Sequence, residues 1–285
     1  MNNLDEQKLA QFIKDALDED VQDGDHTSLA CIPAGQTSRA KLLVKDKGII
    51  AGVEIARQIF QYLDPDATLE ILLDDGSEVK FGDISFYLTC NSQALLKGER
   101  LALNTMQRLS GIATLSRAFH DEVEGYPVTI LDTRKTTPLL RFLEKWAVVE
   151  GGCSNYRDGL YDRIMIKDNH IDAAGSISGA VSNVLSYLSD KKKNLDMTVE
   201  VRGFKELKEV MSIDANPRVM LDNFSTEKMI EAVKLVDGSL EVEASGGIKL
   251  NNVREIAATG VDFISVGALT HSAQSLDLSL KIVKK

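Results

Sequence analysis

Glu200, Asp222, Ser245 and Gly267 each stand at or near the end of a short apolar run, at successive gaps of 22, 23 and 22 residues. No other feature of this chain constrains its fold as strongly. The runs are MTVEV (197–201), RVMLD (218–222), LEVEAS (240–245) and FISVGA (263–268), and between them lie FKELKEVMSI, STEKMIEAVKLV and LNNVREIAATG. The first set reads as strands and the second as helices. A unit of that length returns the chain to the same end of a sheet each time, so the repeat predicts parallel strands joined by helices. Ser225 stands where a helix N-cap belongs and Gly260 where a C-cap belongs. Two earlier runs, VTILD (128–132) and RIMIKD (163–168), extend the series upstream. All these runs are rich in β-branched residues and lack clean polar–apolar alternation, the pattern of strands buried on both faces.

The first hundred residues read differently. A helix over about 5–18 leads to VQDGDHTS (21–28), where Asp23 and Asp25 read as a turn or helix-entry feature. AKLLVKDKGIIAG (40–52) reads as strand, turn and strand, and VEIARQIFQYL (53–63) as a helix. Strand-like pieces follow at 69–73, 84–90 and 92–96, and then a long helical pattern over 98–125. Gly111 within it points to close packing or a break. This half is an α+β unit.

Composition narrows the function. A hydrophobic content of 44% supports a sizeable core, and the net charge of −10 argues against a general nucleic-acid surface. No apolar run is long enough to span a bilayer. Cys31, Cys90 and Cys153 are widely spaced, form no metal pattern or disulfide framework, and fit a reducing cytoplasm. Positive charge, if functional, must be local.

It is local at the strand ends, where a β/α barrel carries its active site. The first end has Arg134 and Lys135 in LDTRKTTP, the second Lys167, Asp168, Asn169 and His170. Glu200 and Asp222 close the next two, and Ser245–Gly246–Gly247 and Gly267 the last two. Arg157 lies in the connection between the first two. Backbone N–H groups in glycine turns hold phosphate oxygens, and two such turns on consecutive strands are far more specific than one. Glu200 and Asp222 suit a Mg²⁺ carried on a pyrophosphate. The Arg and Lys cluster calls for a second anion, a carboxylate above all, because Arg reads it bidentately. A barrel enzyme joining an anionic acid to a phosphorylated, metal-bound partner fits these residues. Taken singly, several have plainer readings: His170 as a hydrogen-bonded structural histidine, Cys153 as a small buried residue, Tyr156 as packing.

The blocks EDVQDGDHTS, GERLALNTMQRLSGIAT, LDTRKTTP, IMIKDNHI, MLDN, EASGGI and ISVGALTHSA, in this order along nearly the whole chain, resemble the quinolinate phosphoribosyltransferase family. The resemblance implies an α/β fold: an N-terminal α/β sandwich over residues 1–110, joined by a C-terminal tail from about 270 to 285, and an incomplete, open α/β barrel over 111–269. It implies conversion of quinolinate and phosphoribosyl pyrophosphate to nicotinate mononucleotide, CO₂ and pyrophosphate, with Mg²⁺, in NAD biosynthesis. Arg134, Arg157 and Lys167 match positions that bind the quinolinate carboxylates, with Thr133 among the substrate contacts, and Lys135 matches one between the two substrates. Arg100 matches an arginine delivered to the neighbouring subunit, which implies a homodimer or larger assembly. Glu200 and Asp222 match carboxylates around the ribose hydroxyls and the metal, which with Lys135 make the catalytic set. Ser245, Gly246, Gly247 and Gly267 match phosphate turns, and His271 a histidine beside them. One departure stands out: the family usually has Asn-His-Arg where this chain has Asn155, Tyr156 and Arg157. The alternatives are a same-fold enzyme using nicotinate or another acid, a non-catalytic sensor of phosphoribosyl ligands, and an unrelated phosphate-binding barrel.

Overall fold

The computed structural model describes residues 4–283. Residues 1–3 and 284–285, the outermost parts of the expected N-terminal domain and its returning tail, lie outside the described residues. The chain divides into two compact units. One holds the residues up to 117, Thr137–Gly152 and the residues from 272 onward; the other holds Ala118–Thr136 and Cys153–His271.

In chain order the elements begin with helices α1 (Glu6–Val21) and α2 (His26–Cys31), then β1 (Thr37–Val44), β2 (Gly48–Ile49), α3 (Val53–Leu63), β3 (Thr68–Ile71), β4 (Glu78–Val79), β5 (Ile84–Asn91) and α4 (Ser92–Glu122). There follow β6 (Thr129–Leu131), α5 (Arg141–Glu150), β7 (Ile164–Ile166), α6 (Asp168–Ala174), α7 (Ile177–Lys191), β8 (Met197–Val201), α8 (Phe204–Met211) and β9 (Arg218–Asp222). The last are α9 (Thr226–Val236), β10 (Val242–Ser245), α10 (Val253–Ala257), β11 (Phe263–Ser265), α11 (Ala268–His271) and β12 (Leu278–Ile282).

The first unit is built on a four-stranded antiparallel sheet in the order β12-β1-β5-β3. Its strands alternate: Ala40, Leu42 and Val44 are buried on β1, and Phe86, Leu88 and Cys90 on β5. Helix α1 buries Leu9, Ile13 and Leu17, one residue per turn, and Asp5 caps it by accepting the Gln7 and Lys8 N–H groups. Asp25 caps α2 in the same way, as its place in VQDGDHTS predicts.

One expectation for this half needs correction. Residues 92–96 are not a strand but the first turn of α4, which runs unbroken from Ser92 to Glu122. Asn91 accepts the N–H groups of Gln93 and Ala94 at 2.9 and 3.2 Å, starting the helix; a five-residue apolar run alone does not separate strand from helix. The boundary expected at 110/111 lies within α4, and in the compact grouping of the chain Thr137–Gly152 with α5 packs with the first unit. The reason is visible at Glu144 of α5: fully buried, it accepts Arg108 Nε and Nη2 of α4 and the Thr137 N–H and hydroxyl, all within 3.0 Å. Gly111 marks close packing and no break. A Cβ there would lie 1.9 Å from the Gln274 carbonyl oxygen.

The second unit is a six-stranded parallel sheet in the order β6-β11-β10-β9-β8-β7. The expected strands are all present, and Ser225 caps α9 by accepting the Lys228 N–H. Gly260 (φ +88°) turns the chain three residues beyond α10. The strands are buried on both faces, as expected, and the register sorts their residues by character. The register puts Met165, Thr198, Glu200, Arg218, Met220, Asp222, Glu243, Ser245, Phe263, Ser265, Thr129 and Leu131 on one face. The other face carries Ile164, Ile166, Met197, Val199, Val201, Val219, Leu221, Val242, Ala244, Ile264 and Ile130, all apolar. Helices α7 to α10 bury their own apolar stripes, such as Leu207 and Val210, or Met229, Ala232 and Val236. Interleaved Met, Leu and Phe residues on the polar face hide the alternation in the sequence. The sheet is an incomplete barrel: its edge strands β6 and β7 do not pair with each other.

Candidate active site

The strands end in register, so their last residues collect at one end of the sheet. Ser245 pairs with Asp222, and the Asn223 N–H donates to the Ser245 carbonyl at 2.9 Å. At the end of β7, Lys167 donates from Nζ to Glu200 of β8 at 2.5 Å. Glu200 is buried, while about two-fifths of the Lys167 side chain is exposed. The Lys167 N–H is accepted by His170 Nδ1 at 2.9 Å, so His170 closes the start of α6. Asp222 Oδ2 accepts the Asn223 side-chain amide at 2.9 Å.

The glycines beyond these strands are favoured by backbone conformation or by space. Gly246 has φ +91° and Gly247 φ +64°, the left-handed region where successive N–H groups turn to one side. A Cβ on Gly246 would stand 2.2 Å from Asn223 Oδ1. At Gly267 a Cβ would meet Lys135 Cδ at 3.0 Å and the His271 ring at 3.2 Å. Lys135 and His271 thus flank the second glycine turn. The Thr270 hydroxyl donates to the Lys135 carbonyl at 2.9 Å, tying the LDTRKTTP loop to the turn after β11. Within that loop Thr133 Oγ1 accepts the Lys135 N–H at 3.1 Å.

Arg134 and Arg157 come together by a separate device. The chain at Ser154 runs parallel beside β6, with Ser154 N–H to the Ile130 carbonyl at 2.9 Å and Asp132 N–H to the Ser154 carbonyl at 3.0 Å. Arg157 is partly buried, and burial followed by the charge of Arg134 makes its own charge harder to hold. Arg134 Nε is buried and has no hydrogen-bond partner among the described residues. A buried guanidinium N–H without an acceptor is costly, and a ligand carboxylate would satisfy it.

The structure therefore brings together in one unit Thr133, Arg134, Lys135, Arg157, Lys167, Glu200, Asp222, Ser245, Gly246, Gly247, Gly267 and His271. Arg100 is not among them: it lies exposed on α4 in the other unit. Sequence reasoning missed Asp132, fully buried, whose Oδ1 accepts the Tyr156 N–H at 2.8 Å. It also missed Glu243, buried on the polar face, where it takes the Ser265 hydroxyl and lies 3.5 Å from Arg218 Nη1. Burial pushes the Glu243 carboxyl above its ordinary range. A polar residue alternating with Val242 and Ala244 was the available signal. Tyr156, Arg157, Arg163 and Arg218 line a cavity of about 410 Å³.

Comparison with known proteins adds to this geometry. The N-terminal domain of quinolinate phosphoribosyl transferase matches residues 25–110, and the C-terminal domain of the same family matches residues 112–281. Quinolinate phosphoribosyltransferase [decarboxylating] 1b of Nicotiana tabacum is 44% identical over 293 residues, covering 96% of this chain and 82% of that protein. The chloroplastic nicotinate-nucleotide pyrophosphorylase [carboxylating] of Arabidopsis thaliana gives the same identity and coverage. Among solved structures, NadC from Streptococcus pyogenes superposes with a TM-score of 0.93 at 33% identity, over the whole of both chains. The nicotinate-nucleotide pyrophosphorylase of Francisella tularensis gives 0.92 at 35%, covering 99% of this chain and 98% of that one.

Proposed function

The chain belongs to the quinolinate phosphoribosyltransferase family, and on that footing we propose that it transfers phosphoribosyl from phosphoribosyl pyrophosphate to quinolinate with decarboxylation. The products are nicotinate mononucleotide, CO₂ and pyrophosphate, in NAD biosynthesis. The observation that carries the acceptor assignment is the partnerless, buried Arg134 Nε standing near Arg157. Two guanidiniums held against their own repulsion suit an acid with two carboxylates better than nicotinate with one.

Arg134, Arg157 and Lys167 hold the acid, with Thr133 shaping the loop, and Lys135 lies between the two substrates. The glycine turns at Ser245–Gly246–Gly247 and Gly267, with His271, hold phosphate oxygens through backbone N–H groups. Glu200 and Asp222 take the ribose hydroxyls, with Lys167 Nζ on Glu200 beside the acid. The pyridine nitrogen forms its bond to the ribose carbon as the carbon–pyrophosphate bond breaks, through an oxocarbenium-like state next to the two carboxylates. The cationic ring then accepts the electron pair of the departing carboxylate, CO₂ leaves, and a proton takes its place. Fixed groups positioned on both sides supply most of the rate.

Mg²⁺ fits this donor set as a companion of the pyrophosphate. Among the described residues no three His, Cys, Asp or Glu side chains gather to hold an ion. Glu200 and Asp222 offer two carboxylates, suited to an ion that takes its other ligands from phosphate and water. It would neutralise charge on the leaving group.

Arg100 serves the site of a second copy in a homodimer or larger assembly. Its exposure supports this, as do large apolar side chains left in solvent, among them Leu139 at 94% and Leu160 at 73% exposure. We place the protein in the cytoplasm, where its three free cysteines stay reduced. No described helix is long and apolar enough to cross a membrane.

The test is product formation from phosphoribosyl pyrophosphate, Mg²⁺ and either quinolinate or nicotinate. Nicotinate mononucleotide and CO₂ from quinolinate alone are expected. Turnover with nicotinate alone would keep the phosphate site and discard the dicarboxylate reading.

A further inference from the structure

The segment Ser154–Arg157 lies at the seam of the incomplete barrel. Ser154 adds beside β6, the edge strand on one side, through its parallel bridge to Leu131. Tyr156 then reaches across the interior. Its hydroxyl shares a hydrogen bond of 2.7 Å with Thr198 Oγ1 on β8, one strand in from the opposite edge. The Tyr156 N–H is held by Asp132 Oδ1 at 2.8 Å. Two guanidiniums lie near the ring, Arg163 at 5.4 Å and Arg218 at 5.5 Å from its centroid. The hydroxyl also faces Glu243, and burial and that neighbour push the phenol up to about 12, so it stays neutral.

We propose that Tyr156 is a positioning residue for the acceptor acid: by tying the seam segment to Thr198 it sets where Arg157 stands relative to Arg134. The proposal rests on the reading that these two arginines hold the acid's carboxylates. Arg134 and Arg157 repel one another when no anion lies between them, and Arg157 follows directly on the tied residue. A segment held only along β6 would yield to that repulsion. The hydrogen bond to Thr198 and the backbone grip of Asp132 hold it from two sides. The spacing of the two guanidiniums, and with it the preference for two carboxylates, then depends on a residue that need not touch the acid.

The experiment is a double-mutant cycle with Tyr156→Phe and Thr198→Val on the full chain, reading the Kd for quinolinate and for phosphoribosyl pyrophosphate. Each single variant should weaken quinolinate about tenfold, the loss of one buried hydrogen bond. The double variant should be no weaker than either, because the same tie is cut. Phosphoribosyl pyrophosphate should bind within about twofold of wild type throughout. Thr198→Ser, which keeps the hydroxyl, should restore quinolinate binding and also serves if Tyr156→Phe does not fold. Additive effects, or a loss with Tyr156→Phe and none with Thr198→Val, would show that Tyr156 meets the acid itself and overturn the proposal. Equal weakening of both ligands, or no change in either, would also overturn it. Wild type that binds phosphoribosyl pyrophosphate but not quinolinate would instead sink the functional reading on which the proposal stands.

Discussion

The two faces of the six-stranded sheet use the same strands for opposite ends. On one face Val199, Val219, Leu221, Ala244 and Ile264 are fully buried and wholly apolar. On the other, one residue along, Thr198, Glu200, Glu243 and Ser265 are nearly as buried but polar. Burial alone therefore does not mark a core. The apolar face draws its stability from area removed from water and from packing against helices. The polar face needs a partner for every group it buries, and it supplies them: Tyr156 for Thr198, Lys167 for Glu200, Ser265 and Arg218 for Glu243. Among the described residues Arg134 Nε, just beyond β6, is buried without a partner, and at the site end this reads as a place kept for a ligand.

The comparison makes its sharpest claim at Arg134. Arg134→Ala is expected to lower kcat/KM for quinolinate about a thousandfold, the scale of losing one partner of a buried charged contact. Melting should shift by no more than a few degrees. Unchanged quinolinate kinetics would break the assignment. Leu221→Ala on the apolar face should do the reverse, costing about 2–5 kcal/mol of stability in denaturant titration with KM values unmoved. A variant that kept its stability but lost quinolinate affinity would erase the division between the faces.

Gly246→Ala should act between these extremes. Its added Cβ crowds Asn223, and alanine at φ +91° costs on the order of 1 kcal/mol in backbone strain. Phosphoribosyl pyrophosphate should bind roughly tenfold more weakly, with quinolinate affinity nearly unchanged; equal losses for both would disconnect this turn from the phosphates. The smallest effect concerns Glu243. Its carboxyl is raised in the folded state, so the folded chain keeps that proton longer than the unfolded one. Stability from this group is then greatest below about pH 4.3 and falls as pH rises from there through the raised value. Glu243→Gln removes that slope, so the melting temperature of the variant relative to wild type should climb between pH 4.5 and 7. A difference independent of pH would show that Glu243 is ionised throughout.

Much of this was legible because the βα repeat acts locally. Each run of residues such as RVMLD forms a strand from its own composition, and the 22-residue period places Glu200, Asp222, Ser245 and Gly267 at one end whatever else the chain does. Gly246 was readable as a turn residue for the same reason. Asp132, Glu144 and Glu243 were not. Each is a carboxylate whose partners, Tyr156, Arg108 and Arg218, lie 24, 36 and 25 residues away in sequence. At Asp132 and Glu144 nothing in the flanking residues tells a buried acid from a solvated one, and at Glu243 the alternation with Val242 and Ala244 was the one signal. The packing of α5 with the first unit was hidden on the same ground, since it turns on the Arg108–Glu144 pair.

The sequence by itself determined the order of strands and helices, the end of the sheet at which charge collects, and the family to which the chain belongs. These follow from propensity, period and motif, all of which act over a few residues. Only the tertiary structure decided which strand face is polar, that Lys167 rests on Glu200, and that Tyr156 spans the seam to Thr198. Those outcomes depend on register and on desolvation, which exist only once distant segments have packed and water has been excluded between them.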